Sequence, residues 1–133
     1  MKFNIYILQK KPEPLYRQAM EEYLKRLGAY GDVFVHYFKN AGQADKIKKT
    51  SGRHFFVVPG ENSYTSPGLA QEIEQCLIKG ESAFHFYIGE FREEGMEKFS
   101  VSSFSVNKSL SAVILLEQIY RSFRIMNHQP YHK

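Results

Sequence analysis

His54-Phe55-Phe56-Val57-Val58-Pro59-Gly60 is the stretch on which the fold turns. A continuous apolar run of this length is what a buried strand requires, and Pro59-Gly60 ends it. Ser66-Pro67 then opens a helix, a cap-type residue followed by proline at the first helical position. That helix runs to about Ile78, and Gly80 closes it. Ala83-Phe84-His85-Phe86-Tyr87-Ile88 is a second apolar run, stopped by Gly89. Strand, helix and strand in this order predict two parallel strands joined by a crossover.

The same alternation extends in both directions. Residues 2–8 are β-branched or aromatic with weak alternation and read as a strand. Pro12 and Pro14 punctuate the next turn. Leu15, Ala19, Tyr23 and Leu27 then recur at four-residue spacing, with Tyr16, Met20 and Leu24 beside them, which predicts an amphipathic helix over 14–28. Asp32-Val33-Phe34-Val35-His36-Tyr37-Phe38 is a further strand. Residues 42–50 are polar and lysine-rich and read as a short surface helix, with Lys46, Lys48 and Lys49 on a solvated face. The charged residues 90–98 read as one or two helical turns, and Phe99 to Phe104 as a fifth strand. The longest helix is expected over 108–126. Its apolar residues Leu110, Val113, Ile114, Leu115, Leu116, Ile119 and Phe123 cover more than one face, so it should pack against two neighbours. The sum is one α/β domain over residues 1–133: a mostly parallel five-stranded sheet with helices on both faces. Ligands in such sheets bind outside the carboxyl ends of strands. That singles out Val58–Glu61, Gly89–Phe91 and Phe104–Lys108.

Composition narrows the classes. The 133 residues are 43% hydrophobic, enough for a core, and 24% charged. No apolar run approaches the roughly 20 residues that span a bilayer, and the N-terminus is too short and too quickly charged for a signal peptide. With one cysteine, Cys76, and no export signal, a reducing cytoplasm is expected. One cysteine and five scattered histidines give no metal-ligand spacing. Cys76 reads as a small core residue, and His36, His54 and His85, all in strands, read as structural. A net charge of +4 is compatible with a nucleic-acid partner.

The segment Glu117-Gln118-Ile119-Tyr120-Arg121-Ser122-Phe123-Arg124-Ile125-Met126-Asn127-His128-Gln129-Pro130-Tyr131-His132-Lys133 passes from an apolar helix into a basic, aromatic tail. Such groups stack on bases and bind phosphates. It resembles the C-terminus of the rRNA large-subunit methyltransferase H family, small SPOUT-class enzymes that methylate a pseudouridine. That family ends in Glu-Gln-(Leu/Ile)-Tyr-Arg-Ala-Phe, a short linker and Pro-Tyr-His-Lys. The resemblance continues through Glu22-Tyr23-Leu24-Lys25-Arg26-Leu27 with Tyr30, Tyr64-Thr65-Ser66 with Ala70, Ile88-Gly89, and Val113-Ile114-Leu115-Leu116. It implies a C-terminal trefoil knot, a homodimer, S-adenosylmethionine as cofactor and 23S ribosomal RNA as substrate, with methylation at pseudouridine N3. By alignment, Val57, Gly89, Val101, Ser102, Ser103, Phe104, Ser105 and Val106 are the cofactor-lining positions. His132, Tyr131 and Arg121 are the catalytic candidates, and Lys108, Arg124 and Lys133 the RNA contacts.

The imide nitrogen must lose its proton before it can attack a methyl group. His132 is the candidate for handling that proton, as base or as positioner. Tyr131 would stack on the base or hydrogen-bond to it. Arg121 serves equally as a phosphate contact or as the ion-pair partner of Glu117, four residues earlier. Glu117 and Gln118 read as interface hydrogen-bonders. The sequence departs from the family at the cofactor site. The Gly-Gly-x-x-Gly loop here reads Gly89-Glu90-Phe91-Arg92-Glu93, the stretch from Gly89 to the last helix is shorter, and Asn107, Lys108 and Ala112 stand where the family has Pro-His and an arginine. If Glu90 to Glu93 fill the cleft, the chain is a knotted dimer that binds RNA or ribosome without methyl transfer. If they swing outward, the cleft survives. A plain nucleotide-binding module is the fallback if the tail match is accidental.

Overall fold

The computed structural model describes residues 1–130. Five strands, β1 (Lys2–Leu8), β2 (Asp32–Phe38), β3 (Arg53–Val57), β4 (Ala83–Ile88) and β5 (Glu97–Phe99), form one sheet in the order β2-β1-β4-β3-β5. Every pairing is parallel. Three α-helices, α1 (Pro14–Leu27), α2 (Ser66–Lys79) and α3 (Lys108–Met126), complete the fold with two 3-10 turns, Ala41–Ala44 and Ile47–Lys49.

The period-two alternation of the strands separates two cores. Phe3, Ile5 and Ile7 of β1 sit level with Phe84, Phe86 and Ile88 of β4, on the face where Met20, Leu27, Leu69, Ile73, Leu115 and Ile119 pack. All three α-helices therefore cover one face, with α3 in the middle against both α1 and α2. This explains why α3 is apolar on more than one side. On the other face Tyr6 and Tyr87 meet Ala44 and Phe91, with Ile47, Phe38 and Phe56 beside them. Cover there comes from the 3-10 turns and the loop after β4, not from an α-helix. The lysine-rich stretch thus does not form a regular surface helix: Ala44 is fully buried beneath it.

Two further expectations shift. Residues 90–98 make no helix. Phe91 turns into the second core, Met96 N–H donates to the Glu93 carbonyl at 3.0 Å, and the last residues of the run enter β5. The fifth strand lies at Glu97–Phe99 rather than over 99–104, because its partner β3 ends at Val57. Beyond it the chains stay in contact irregularly, through Val58 N–H to Phe99 O at 2.9 Å and Gly60 N–H to Ser102 O at 3.1 Å. Helix α2 is capped by Thr65, whose hydroxyl accepts from Gly68 N–H at 3.0 Å, one residue earlier than the sequence suggests. Gly80 ends the helix at φ 81°, a conformation that glycine takes without cost.

Candidate active site

The carboxyl ends of β3 and β4 open into a cleft of about 310 Å³, at the small end of the roughly 300–1,000 Å³ usual for small-molecule sites. One wall is Phe56, Val57, Val58 and Pro59. The floor is Ile88, Gly89 and Glu90. The far wall is Val101, Ser102, Phe104, Ser105 and Val106, with Lys108 and Ser111 from the first turn of α3. The cleft therefore joins all three segments that the strand-end rule singles out. Of the expected cofactor-lining positions, Ser103 is absent from the lining, whereas Val57, Gly89, Val101, Ser102, Phe104, Ser105 and Val106 are present. Phe56, Ile88 and Ser111 were not anticipated. Strand and helix periodicity would place Phe56 and Ile88 in the core, and nothing in the sequence marks Ser111.

The altered glycine loop leaves the cleft open. Gly89 sits at φ 117°, and a Cβ there would lie 2.8 Å from the Leu8 Cβ and 3.4 Å from the Lys108 Cε. The loop is thus pressed against β1 at a point where only glycine fits. Phe91 N–H closes a tight turn on the Gly89 carbonyl at 2.8 Å. Its ring enters the second core edge-on to Tyr87 and Phe38, with centroids 5.6 and 6.1 Å away. Glu90 is left at the apex, exposed, facing Lys108. The Lys108 ammonium donates to the Leu8 carbonyl and to the Glu90 carboxylate, both at 2.9 Å. Lys108, expected as an RNA contact, lies in the cleft wall. Its hydrogen bond to Glu90 holds that carboxyl below the usual carboxylate range.

The donor set suits S-adenosylmethionine: apolar walls for an adenine ring, hydroxyls of Ser102, Ser105 and Ser111 for a ribose, and one cation and one anion for an amino-acid end. Among the described residues no group of histidines, cysteines and carboxylates could hold a metal ion, and no helix is long and apolar enough to cross a membrane.

The other candidates gather elsewhere. Arg121 lies in a separate groove with Tyr64, Thr65, Ser66, Pro67, Gln118, Ile125 and Gln129. It donates to the Ser66 hydroxyl at 3.1 Å and forms the ion pair with Glu117. Arg124 holds the base of the tail, donating to the Pro130 carbonyl from Nη2 at 2.8 Å and from Nε at 3.2 Å. Its Nη1 also reaches the Tyr30 hydroxyl at 3.3 Å, and that hydroxyl donates to the Gln129 side chain. The tail is thereby turned back onto α3, with His128 at φ 54°. Tyr131, His132 and Lys133 lie outside the described residues.

Comparison with known proteins places the chain. A family described as "Predicted SPOUT methyltransferase" matches residues 1–132. Ribosomal RNA large subunit methyltransferase H 1 of Thermoanaerobacter sp. (strain X514) is 29% identical over 133 residues, covering all of both chains. Ribosomal RNA large subunit methyltransferase H of Halothermothrix orenii is 30% identical, again covering all of both. That alignment runs over 159 positions, more than this chain has residues.

Proposed function

This chain belongs to the SPOUT methyltransferase family, and on that premise we propose that it uses S-adenosylmethionine to methylate large-subunit (23S) ribosomal RNA at N3 of a pseudouridine. The observation that carries this reading is the open cleft at the ends of β3 and β4, lined by seven of the eight positions that the resemblance assigns to the cofactor. The trefoil threading of the C-terminal part belongs to the same reading. When bound, the cofactor supplies an electrophilic methyl group. The chain's task is to align the acceptor with it and to help the imide nitrogen lose its proton. His132 is the residue for that proton, Tyr131 the stacking partner, and Arg121 and Lys133 the phosphate contacts.

The same reading makes the site a shared one. Lys108 stands in the cleft at the start of α3, and Met126 ends the same helix, about 27 Å away at 1.5 Å per residue. The tail then folds back onto the far end of α3 through Arg124 and Tyr30. His132 follows Pro130 by two residues, at most about 7 Å of chain. On this reading the tail works at the cleft of a partner chain. A homodimer through α1 and α3 supplies the arrangement. Val113 and Ile114 of α3 and Tyr23 of α1 line an open groove there with Glu117 and Arg121, and Leu15 is 82% exposed.

Calorimetric titration with S-adenosylmethionine and its demethylated product, followed by methyl incorporation into 23S ribosomal RNA and ribosomal particles, tests the proposal. Binding in the micromolar range is expected, and its loss in Gly89→Ala, where the added Cβ drives the loop off Leu8. A folded dimer that binds neither ligand would sink the methyl-transfer reading and leave a knotted RNA-binding protein.

A further inference from the structure

Among the described residues, Glu90 and Lys108 are the two charged side chains that line the cleft. Lys108 is the first residue of α3, where the helix dipole disfavours a cation. The Asn107 side chain already accepts from Ser109 N–H at 2.8 Å and Leu110 N–H at 3.3 Å. The helix end therefore has little left to offer an anion, and the Lys108 ammonium is the donor that remains. Its stem lies along Gly89, and its head is fixed by the Leu8 carbonyl. Glu90 is the looser half: its side chain is 76% exposed, against 34% for Lys108. The backbone beneath it is nonetheless fixed, because Phe91 anchors the turn. A carboxylate with a rigid base and a free head thus hangs at the mouth of the cleft.

We propose that this pair is a stand-in for a zwitterion: on binding, Lys108 takes the α-carboxylate of the methionine end of S-adenosylmethionine, and Glu90 takes its α-ammonium. The inference rests on the methyltransferase reading and assigns the amino-acid end of that ligand. The exchange conserves charge in the cleft. An ion pair this exposed contributes little net free energy, so opening it costs little, while both new contacts are charge-assisted hydrogen bonds. Glu90 stands where the family has a second glycine, and a glycine has no side chain to offer the ammonium. The substitution that seems to block the loop thus gives it a function.

The test is titration calorimetry of the full chain with three ligands: S-adenosylmethionine, S-adenosylhomocysteine and 5′-methylthioadenosine, which lacks the amino-acid end. Glu90→Gln and Lys108→Met should each weaken the first two by about tenfold or more and leave the third unchanged. Glu90→Gln keeps the shape of an exposed side chain, so its folding is not at issue, and thermal melts confirm it for Lys108→Met. Equal weakening of all three ligands, or of none, overturns the proposal while the methyltransferase reading stands. A wild-type chain that binds none of the three overturns both.

Discussion

Across β1, β4 and β3, Tyr6, His85 and His54 lie ring over ring. The two imidazoles are 4.4 Å apart and within 7° of parallel, and Tyr6 is 5.9 Å from His85. Their hydrogen bonds fix the tautomers. His85 Nε2 faces the Ser51 carbonyl at 3.2 Å and His54 Nε2 the Thr50 carbonyl at 2.9 Å, so these nitrogens carry the protons. Nδ1 of His85 then accepts from the Tyr6 hydroxyl at 2.9 Å, and Nδ1 of His54 from Tyr87 at 2.8 Å. Burial keeps both phenols protonated, pushing Tyr6 up to about 12. A second proton on the His85 ring would turn its acceptor into a donor against a phenol that is already donating. Burial first, and His54 second, lower the His85 pKa against the pull of the Ser51 carbonyl, and burial lowers that of His36. An unfolded histidine titrates near about 6.5, so below that value the unfolded chain binds protons that the folded chain refuses. Stability should be full above about pH 6.5 and fall as the pH drops toward the folded-state values. Urea midpoints should be lower at about pH 5.5 than at about pH 7.5, with a smaller difference in His85→Asn. An unchanged difference would remove His85 from the account. That these histidines are structural was legible from their place in strands; that they stack was not, since it depends on the register between β3 and β4.

Among the elements, those with a strong period were legible nearly to the residue. α3 occupies 108–126 and β2 Asp32–Phe38 as read. β5 was not, for a physical reason. It is an edge strand of three residues, and its Glu97 carboxylate is structural. Arg53 of β3 grips Glu97 with two parallel hydrogen bonds of 2.9 and 2.6 Å, and the same guanidinium bonds Glu72 of α2 and the Cys76 sulfur. It also lies over the Phe55 ring, 4.9 Å from the centroid. One side chain thus ties β5, β3 and α2 together, but a sequence window over 90–98 shows only a charged run. Arg53→Lys keeps the charge and loses the fork. It should cost about 1–3 kcal/mol in urea unfolding and speed amide exchange at Phe99 more than in β1. Equal exchange at both strands would argue that β5 is held by its backbone pairing alone. The cleft divides in the same way. Gly89 and the approach to α3 were visible as strand ends, whereas the meeting of Lys108 with Leu8 and Glu90 was not, because it joins residues far apart in the chain.

At the scale of the whole molecule, α3 separates the two halves of the proposed site. Its first residue stands in the cleft, and its last turn, with Arg124 and Tyr30, holds the base of the tail at the opposite end. In the proposed homodimer each chain gives the half that it takes, as two-fold symmetry allows. This makes a prediction independent of which residue moves the proton. Gly89→Ala damages the cleft and leaves the tail; His132→Ala damages the tail and leaves the cleft. Each variant alone should lose most of its methyl transfer to ribosomal RNA. Unfolded together and refolded, they should recover about a quarter of the wild-type activity, because half of the dimers are mixed and each mixed dimer has one intact site. Recovery should vanish in Ile114→Glu versions of both chains, which place a charge in the groove between α1 and α3 and should sediment as monomers. Were each site built from a single chain, every mixed dimer would carry two damaged sites and no activity would return. A monomer active on its own would show that the tail reaches its own cleft, and the path of α3 between them would need another explanation.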